Sequence, residues 1–127
     1  MLVDRIETGH APRPIGPYTQ AVRVGDFLFC SGQVGLDPAT GKLVGGGVGA
    51  EAGRVMENVR AVLSAAGVGL EHVVKTTIYL VDMADFAEVN GVYGGCFTGD
   101  YPARTTVAVA ALPAGARVEI EVIARMS

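Results

Sequence analysis

The sequence predicts an α+β domain: a single mixed sheet of about six strands with two helices packed on one face. Three observations carry this reading. Two segments have helical periodicity, and strand-like segments surround them in the order ββ–α–β–α–ββ, with room for a further short strand at the start. Pro- and Gly-rich stretches separate the segments.

Leu2–Ile6 alternates apolar and polar residues and opens the chain as a short strand. Pro12, Pro14 and Pro17 exclude regular helix or central strand from His10–Tyr18. Gln20–Val24 alternates again, Gly25–Asp26 is a hairpin turn, and Phe27–Ser31 is the next strand. Asp37–Gly41 is a turn cluster, and Gly45–Gly47 ends regular structure before a helix. From Val48 to Ala66 a single apolar face holds Ala52, Val55, Met56, Val59, Leu63 and Ala66, with Gly67 as the expected cap. Gly53 inside that helix costs about 1 kcal/mol relative to alanine, which predicts a close packing partner there. Val73–Val81 is a strand with Val74, Ile78 and Leu80 on one face and Val73, Tyr79 and Val81 on the other. Phe86, Val89, Asn90, Tyr93 and Phe97 set a second helix over Ala84–Phe97. Thr105–Ala111 and Arg117–Ala124 are alternating strands, expected to pair as an antiparallel hairpin about Leu112–Ala116.

Two helices cannot cover both faces of such a sheet, so an apolar face left open predicts a homo-oligomer. The chain of 127 residues holds one domain, residues 1–127. It is 50% hydrophobic and only 18% charged, which excludes a disordered chain. A net charge of −3 and 6% aromatic content without Trp argue against a nucleic-acid partner. No apolar run reaches the roughly 18 residues of a membrane span. Charges in Met1–Ile6 replace the apolar run of a signal peptide, so a cytoplasmic protein is expected. Cys30 reads as a small buried hydrophobe rather than a catalytic thiol or a disulfide partner of Cys96. His10 and His72 have no ligand spacing, and no metal site or other cofactor is expected.

Four segments carry chemistry. Pro14–Tyr18 is a rigid loop presenting the Tyr18 phenol. Ser31-Gly-Gln33 ends a strand, where Gly32 lets the backbone approach a ligand closely. Tyr101–Thr106 presents Arg104, whose guanidinium suits bidentate binding of a carboxylate. Val118-Glu-Ile-Glu121 puts two carboxylates on one face of an otherwise apolar strand, and Glu119 is a candidate general base. Each has a plainer reading alone: Arg104 as an edge arginine paired with a surface acid, Glu119 as a solvated strand face, Tyr18 as a packed aromatic.

Together the segments are specific. Ile15-Gly-Pro-Tyr18, Ser31-Gly-Gln33, Glu57-Asn-Val59 with Ala65-Ala-Gly67, and Val74-Lys-Thr-Thr77 come first. Asn90 with Tyr93, Pro102-Ala-Arg-Thr105, Leu112-Pro113 and Val118-Glu-Ile-Glu121 follow. Over nearly its whole length the chain resembles the Rid (YjgF) family of reactive intermediate deaminases. The resemblance implies a chorismate-mutase-like α+β fold, a homotrimer with ligand sites in the clefts between subunits, and no cofactor. It also implies hydrolysis of 2-imino acids, of the 2-aminoacrylate and 2-iminobutyrate type, to 2-keto acids and ammonia. By matching position, Arg104 would clamp the substrate carboxylate and Glu119 would orient or activate water. Tyr18, Ser31, Gly32, Asn90 and the backbone N–H of Thr106 would line the pocket, Thr106 standing where the family often carries Cys.

Two further readings stand beside this one. A non-catalytic trimer binding small 2-keto acids or related carboxylates would use the same Arg104, but would have no need of Glu119. An endoribonuclease or translation inhibitor is the third, opposed by the negative charge and the lack of a paired-histidine site. In the expected hairpin Glu119 faces Val109, and Arg104 lies about 17 Å further along the strand. One site would therefore take Arg104 and Glu119 from different chains.

Overall fold

The computed structural model describes residues 3–127, and the expected strand start at Leu2 lies outside them. The elements in chain order are β1 (Val3–Ile6), β2 (Ala21–Val24), β3 (Phe27–Cys30), β4 (Gln33–Val34) and α1 (Val48–Ala65). They continue with β5 (Val73–Leu80), α2 (Phe86–Gly94), β6 (Ala103–Ala108) and β7 (Val118–Arg125). All strands join one sheet in the order β1-β2-β3-β7-β5-β6, with β4 also pairing with β7. Among the described residues only β5 and β6 run parallel; the other pairs are antiparallel. Both helices pack on one face, the chorismate-mutase-like α+β arrangement.

Strand β7 is the central strand of the fold. Val118, Ile120, Val122 and Ala124 are buried and join the core under α1, while Glu119, Glu121 and Ile123 alternate onto the open face. The α1 core residues Val55, Met56, Val59, Val62 and Leu63 are also buried. Burying an aliphatic side chain of this size contributes about 1.5–3 kcal/mol, so this layer dominates the stability. Helix α1 ends where Gly67 takes φ 85. Val68 N–H donates to Leu63 O and Gly67 N–H to Ser64 O, which closes the helix as a Schellman motif. Asn58, fully buried, donates to the carbonyls of Val34 and Leu36 and ties α1 to β4.

The structure corrects several expectations. The last two strands do not form a hairpin: β5 lies between them, parallel to β6 and antiparallel to β7. The cause is the β5–α2–β6 crossover, since a helical connection returns the chain parallel to its starting strand. The β5 faces also differ: Thr76, Ile78 and Leu80 point to the helices, Val73 is buried, and Val74 is exposed. A register shift between Val73 and Lys75 resets the alternation there. Helix α2 stops at Gly94 rather than Phe97, because Gly94–Gly95 weaken it and the chain tightens into bonds from Cys96 N–H to Tyr93 O and Phe97 N–H to Gly94 O. The two-residue strand β4 was too short to leave a pattern.

Gly53 has no packing partner among the described residues: a Cβ there would meet none of them within 4 Å. The close approach is at Gly35, where a Cβ would lie 2.9 Å from Glu51 O and 3.0 Å from its Cα. Gly53→Ala is therefore expected to stabilise the protein by about 0.5–1 kcal/mol. Gly35→Ala is expected to destabilise it, since the obstacle is helix backbone. Denaturant unfolding checks both, and a neutral Gly35→Ala or a destabilising Gly53→Ala would contradict this packing.

Candidate functional site

The first cluster forms where the open face of β7 meets the loop before β2 and the turn after β3. Gln20 is buried and braces the proline-rich loop, accepting from Thr8 N–H at 2.7 Å and donating to Thr8 O and Pro12 O. Ile15 N–H donates to the Tyr18 hydroxyl at 3.3 Å, holding the phenol at the loop surface. The Ser31 hydroxyl donates to Thr19 O at 2.6 Å, and Ser31 N–H donates to Gln20 O. Gly32 lies directly against Glu119: a Cβ there would fall 2.8 Å from both Cδ and Oε2 of the carboxylate. A larger residue at position 32 would have to displace the Glu119 side chain. Tyr18, Ser31, Gly32 and Glu119 line a cleft of about 290 Å³, walled also by Ile15 and Pro113.

Burial holds the Glu119 carboxyl above the usual glutamate range, and the negative charge of Glu121 adds to the effect. Such a group is a better proton acceptor than a solvated glutamate. The Cys30 thiol is pushed up to about 12 by burial, so it remains protonated and inert near neutral pH.

The second cluster lies on the helix face of the sheet. Arg104 on β6 is in register with Thr76 of β5, and its guanidinium carbon stands 5.6 Å from the Phe86 ring centre and 5.2 Å from that of Tyr93. The Tyr93 ring is fixed in turn by a buried 2.8 Å hydrogen bond between its hydroxyl and that of Thr76. Two aromatic faces thus orient the cation. Arg104 takes part in none of the ion pairs found among the described residues, so the plainer reading of a surface acid partner is not met. Arg104 and Asn90 line a second cleft of about 290 Å³ with Tyr93, Gly94, Tyr101 and Pro102.

The expected site residues therefore fall into two groups. Tyr18, Ser31, Gly32 and Glu119 come together, Asn90 and Arg104 come together, and Thr106 lines neither cleft. Thr106 shares the Arg104 face, opposite Ile78, and its Oγ1 is buried without a partner among the described residues. Glu119 is in register with Tyr79 on one side of β5, and Arg104 with Thr76 on the other. Three residues along and two strand spacings across put their Cα atoms roughly 14 Å apart on opposite faces. The hairpin that first suggested their separation is absent, but the separation itself stands. One small acid cannot touch both within a chain.

Sequence reasoning did not anticipate Phe86 and Tyr93 as the platform for Arg104. Their helical spacing marked them as core, and only the parallel β5–β6 pairing sets Arg104 over them. The hydrogen bond from Tyr79 to Glu121 was also unforeseen, because it depends on the β5–β7 register.

Comparison with known proteins places this architecture. The family model described as endoribonuclease L-PSP matches residues 8–126. Protein DfrA of Myxococcus xanthus is 57% identical over 121 residues, covering 94% of this chain and 92% of that protein. The 2-iminobutanoate/2-iminopropanoate deaminase of Mus musculus is 54% identical over 119 residues, covering 94% of this chain and 88% of that protein. The crystal structure of RidA from the Antarctic bacterium Psychrobacter sp. PAMC 21119 superimposes with a TM-score of 0.93 at 46% identity, covering 96% of this chain and 98% of that one. The matched family model, these identities and the shared fold show that this chain belongs to the endoribonuclease L-PSP family, the YjgF/Rid family that includes imine deaminases.

Proposed function

We propose that this protein hydrolyses small 2-imino acids to 2-keto acids and ammonia, in clefts that each take Arg104 from one chain and Glu119 from the next in a homotrimer. The observation that carries the proposal is the guanidinium of Arg104, held by two aromatic rings, lining a cleft and free of any ion pair among the described residues. A planar cation so prepared matches a substrate carboxylate with two parallel hydrogen bonds. The separation of Arg104 from Glu119 within one chain supports a site shared between chains. The exposed Phe27, Phe29 and Val107 on the sheet support association. The deaminase name of the mouse relative supports the reaction.

In this reading Arg104 binds the carboxylate next to the C=N bond and draws electron density from it. Glu119 accepts a proton from water as the water oxygen bonds to the imine carbon and the C=N π electrons move to nitrogen. Glu119 returns that proton to the carbinolamine nitrogen; the C–N bond then breaks with its electrons leaving on ammonia while an oxygen lone pair forms the keto C=O, and Glu119 takes the hydroxyl proton. A positioned carboxylate base contributes about 10²–10⁴-fold to such a step. Tyr18, Ser31 and Gly32 border the Glu119 side, Asn90 the Arg104 side, and the Thr106 backbone N–H is a further proposed carboxylate contact. The family description also names an endoribonuclease. RNA binding that weakens steeply with salt would mark that activity.

The deciding assay follows ammonia and keto-acid release from a panel of enzymatically generated imines. Arg104→Ala is expected to lower kcat/KM by about 10²-fold or more while the protein stays folded, and Arg104→Lys to recover little, because an ammonium cannot form the fork. Unchanged turnover in Arg104→Ala would overturn the clamp. Ligand binding without turnover in the native protein would leave a binding protein in place of an enzyme. The Cys30→Ala, Cys96→Ala double variant is expected to retain turnover, since no step uses a thiol; a folded double variant without activity would contradict the mechanism.

A further inference from the structure

Glu121 has no part in the steps above, yet its placement is specific. It follows Glu119 by two residues on β7, so the two carboxylates share the open face. It accepts a hydrogen bond from the Tyr79 hydroxyl at 2.5 Å, and Tyr79 is the register partner of Glu119 itself. The Tyr79 side chain therefore bridges the pair, fixing Glu121 while running beside Glu119. That hydrogen bond fixes the Glu121 carboxylate in place on the open face beside Glu119.

We propose that Glu121 is a positioning residue: anchored by Tyr79, it holds a second negative charge beside Glu119 and so sets the pH range over which the site works. This rests on the imine-hydrolase reading for its catalytic meaning. Several groups face or border Glu119. Glu121 on β7 and Arg117 just before that strand flank it, Tyr79 and the more distant Lys75 stand on β5, and Arg13 and Tyr18 border its cleft. Lys75 is engaged elsewhere, its ammonium donating to the Thr105 hydroxyl at 2.9 Å. Arg117 turns toward Glu51 of α1, to which its backbone N–H donates. In a shared site Arg104 of the adjoining chain would bring a further cation. That cation favours the ionised carboxylate and makes it a poorer base. Glu121 opposes the pull, and its charge acts on Glu119 in the same direction as burial.

The test is a carboxyl ¹³C NMR titration of Glu119 in the native protein and in Glu121→Gln, with the pH dependence of kcat/KM in parallel. Removing a negative charge makes Glu119 easier to ionise, so its midpoint is expected to fall by about 0.5–1 pH unit, a Coulomb effect for charges about 7 Å apart at intermediate dielectric. The acidic limb of kcat/KM is expected to fall with it. Tyr79→Phe is a second variant. Without its anchor the Glu121 carboxylate is no longer held beside Glu119, so the Glu119 midpoint is expected to move the same way by a smaller amount. A residue that only supports the fold would lower the melting temperature and leave the midpoint in place. An unmoved midpoint in whichever of these variants folds overturns the proposal. If the midpoint moves but no imine is hydrolysed by the native protein, the positioning of Glu119 holds and the imine-hydrolase reading falls.

Discussion

The two-sided alternation of β7 is the constraint on which the rest depends. Its even-numbered residues Val118, Ile120, Val122 and Ala124 are buried under the helices, and a slip of one residue would drive Glu119 and Glu121 into that apolar layer. The cost of burying unpaired carboxylates is far larger than any local preference of the loops. The register that packs the core therefore also fixes both carboxylates on the open face. Glycine at position 32 then lets the β3–β4 turn close over Glu119, and the buried Gln20 braces the proline-rich loop that carries Tyr18 to the same cleft.

The opposite face is organised by a different interaction. The Thr76–Tyr93 hydrogen bond locks one ring, and that ring with Phe86 holds Arg104 without a counter-ion among the described residues. Cation–π contacts of this kind contribute about 0.5–2 kcal/mol each and leave the in-plane N–H donors available. A carboxylate partner from the protein would have filled the same donors that a substrate needs. Gly94, at the end of α2, lines this cleft, so the glycine at which the helix stops also borders the clamp. One chain carries a cationic half and an anionic half on opposite sides of its sheet.

The fold class was legible because the α1 face and the β7 alternation are strong, long patterns that directly report burial. The topology of the last strands was not. Alternation in β6 and β7 says that each is a strand, but not that β5 lies between them; that follows from the helical crossover, which the order of elements contained and the hairpin expectation ignored. Gly53 misled in a similar way, since a helix-interior glycine signals close packing only when a neighbour is present, and the close approach to α1 is instead made by Gly35 at Glu51. For the site, the motifs gathered around Arg104 and Glu119 were readable as residue types. Their division between two faces rests on strand register, and the aromatic platform of Arg104 rests on the parallel pairing. No single-sequence pattern contains either.

The central claim is that the cationic and anionic halves meet only between chains. The most direct measurement mixes inactive Arg104→Ala subunits with inactive Glu119→Ala subunits after dissociation, and follows imine hydrolysis once subunit exchange is independently established. If the site is shared, a 1:1 mixture regains about one quarter of the native activity, the share of clefts that receive both intact residues by random assortment in a cyclic trimer. If Arg104 and Glu119 of one chain serve the same cleft, no cleft is ever complete, and a mixture that exchanges freely yet stays inactive would contradict the shared site.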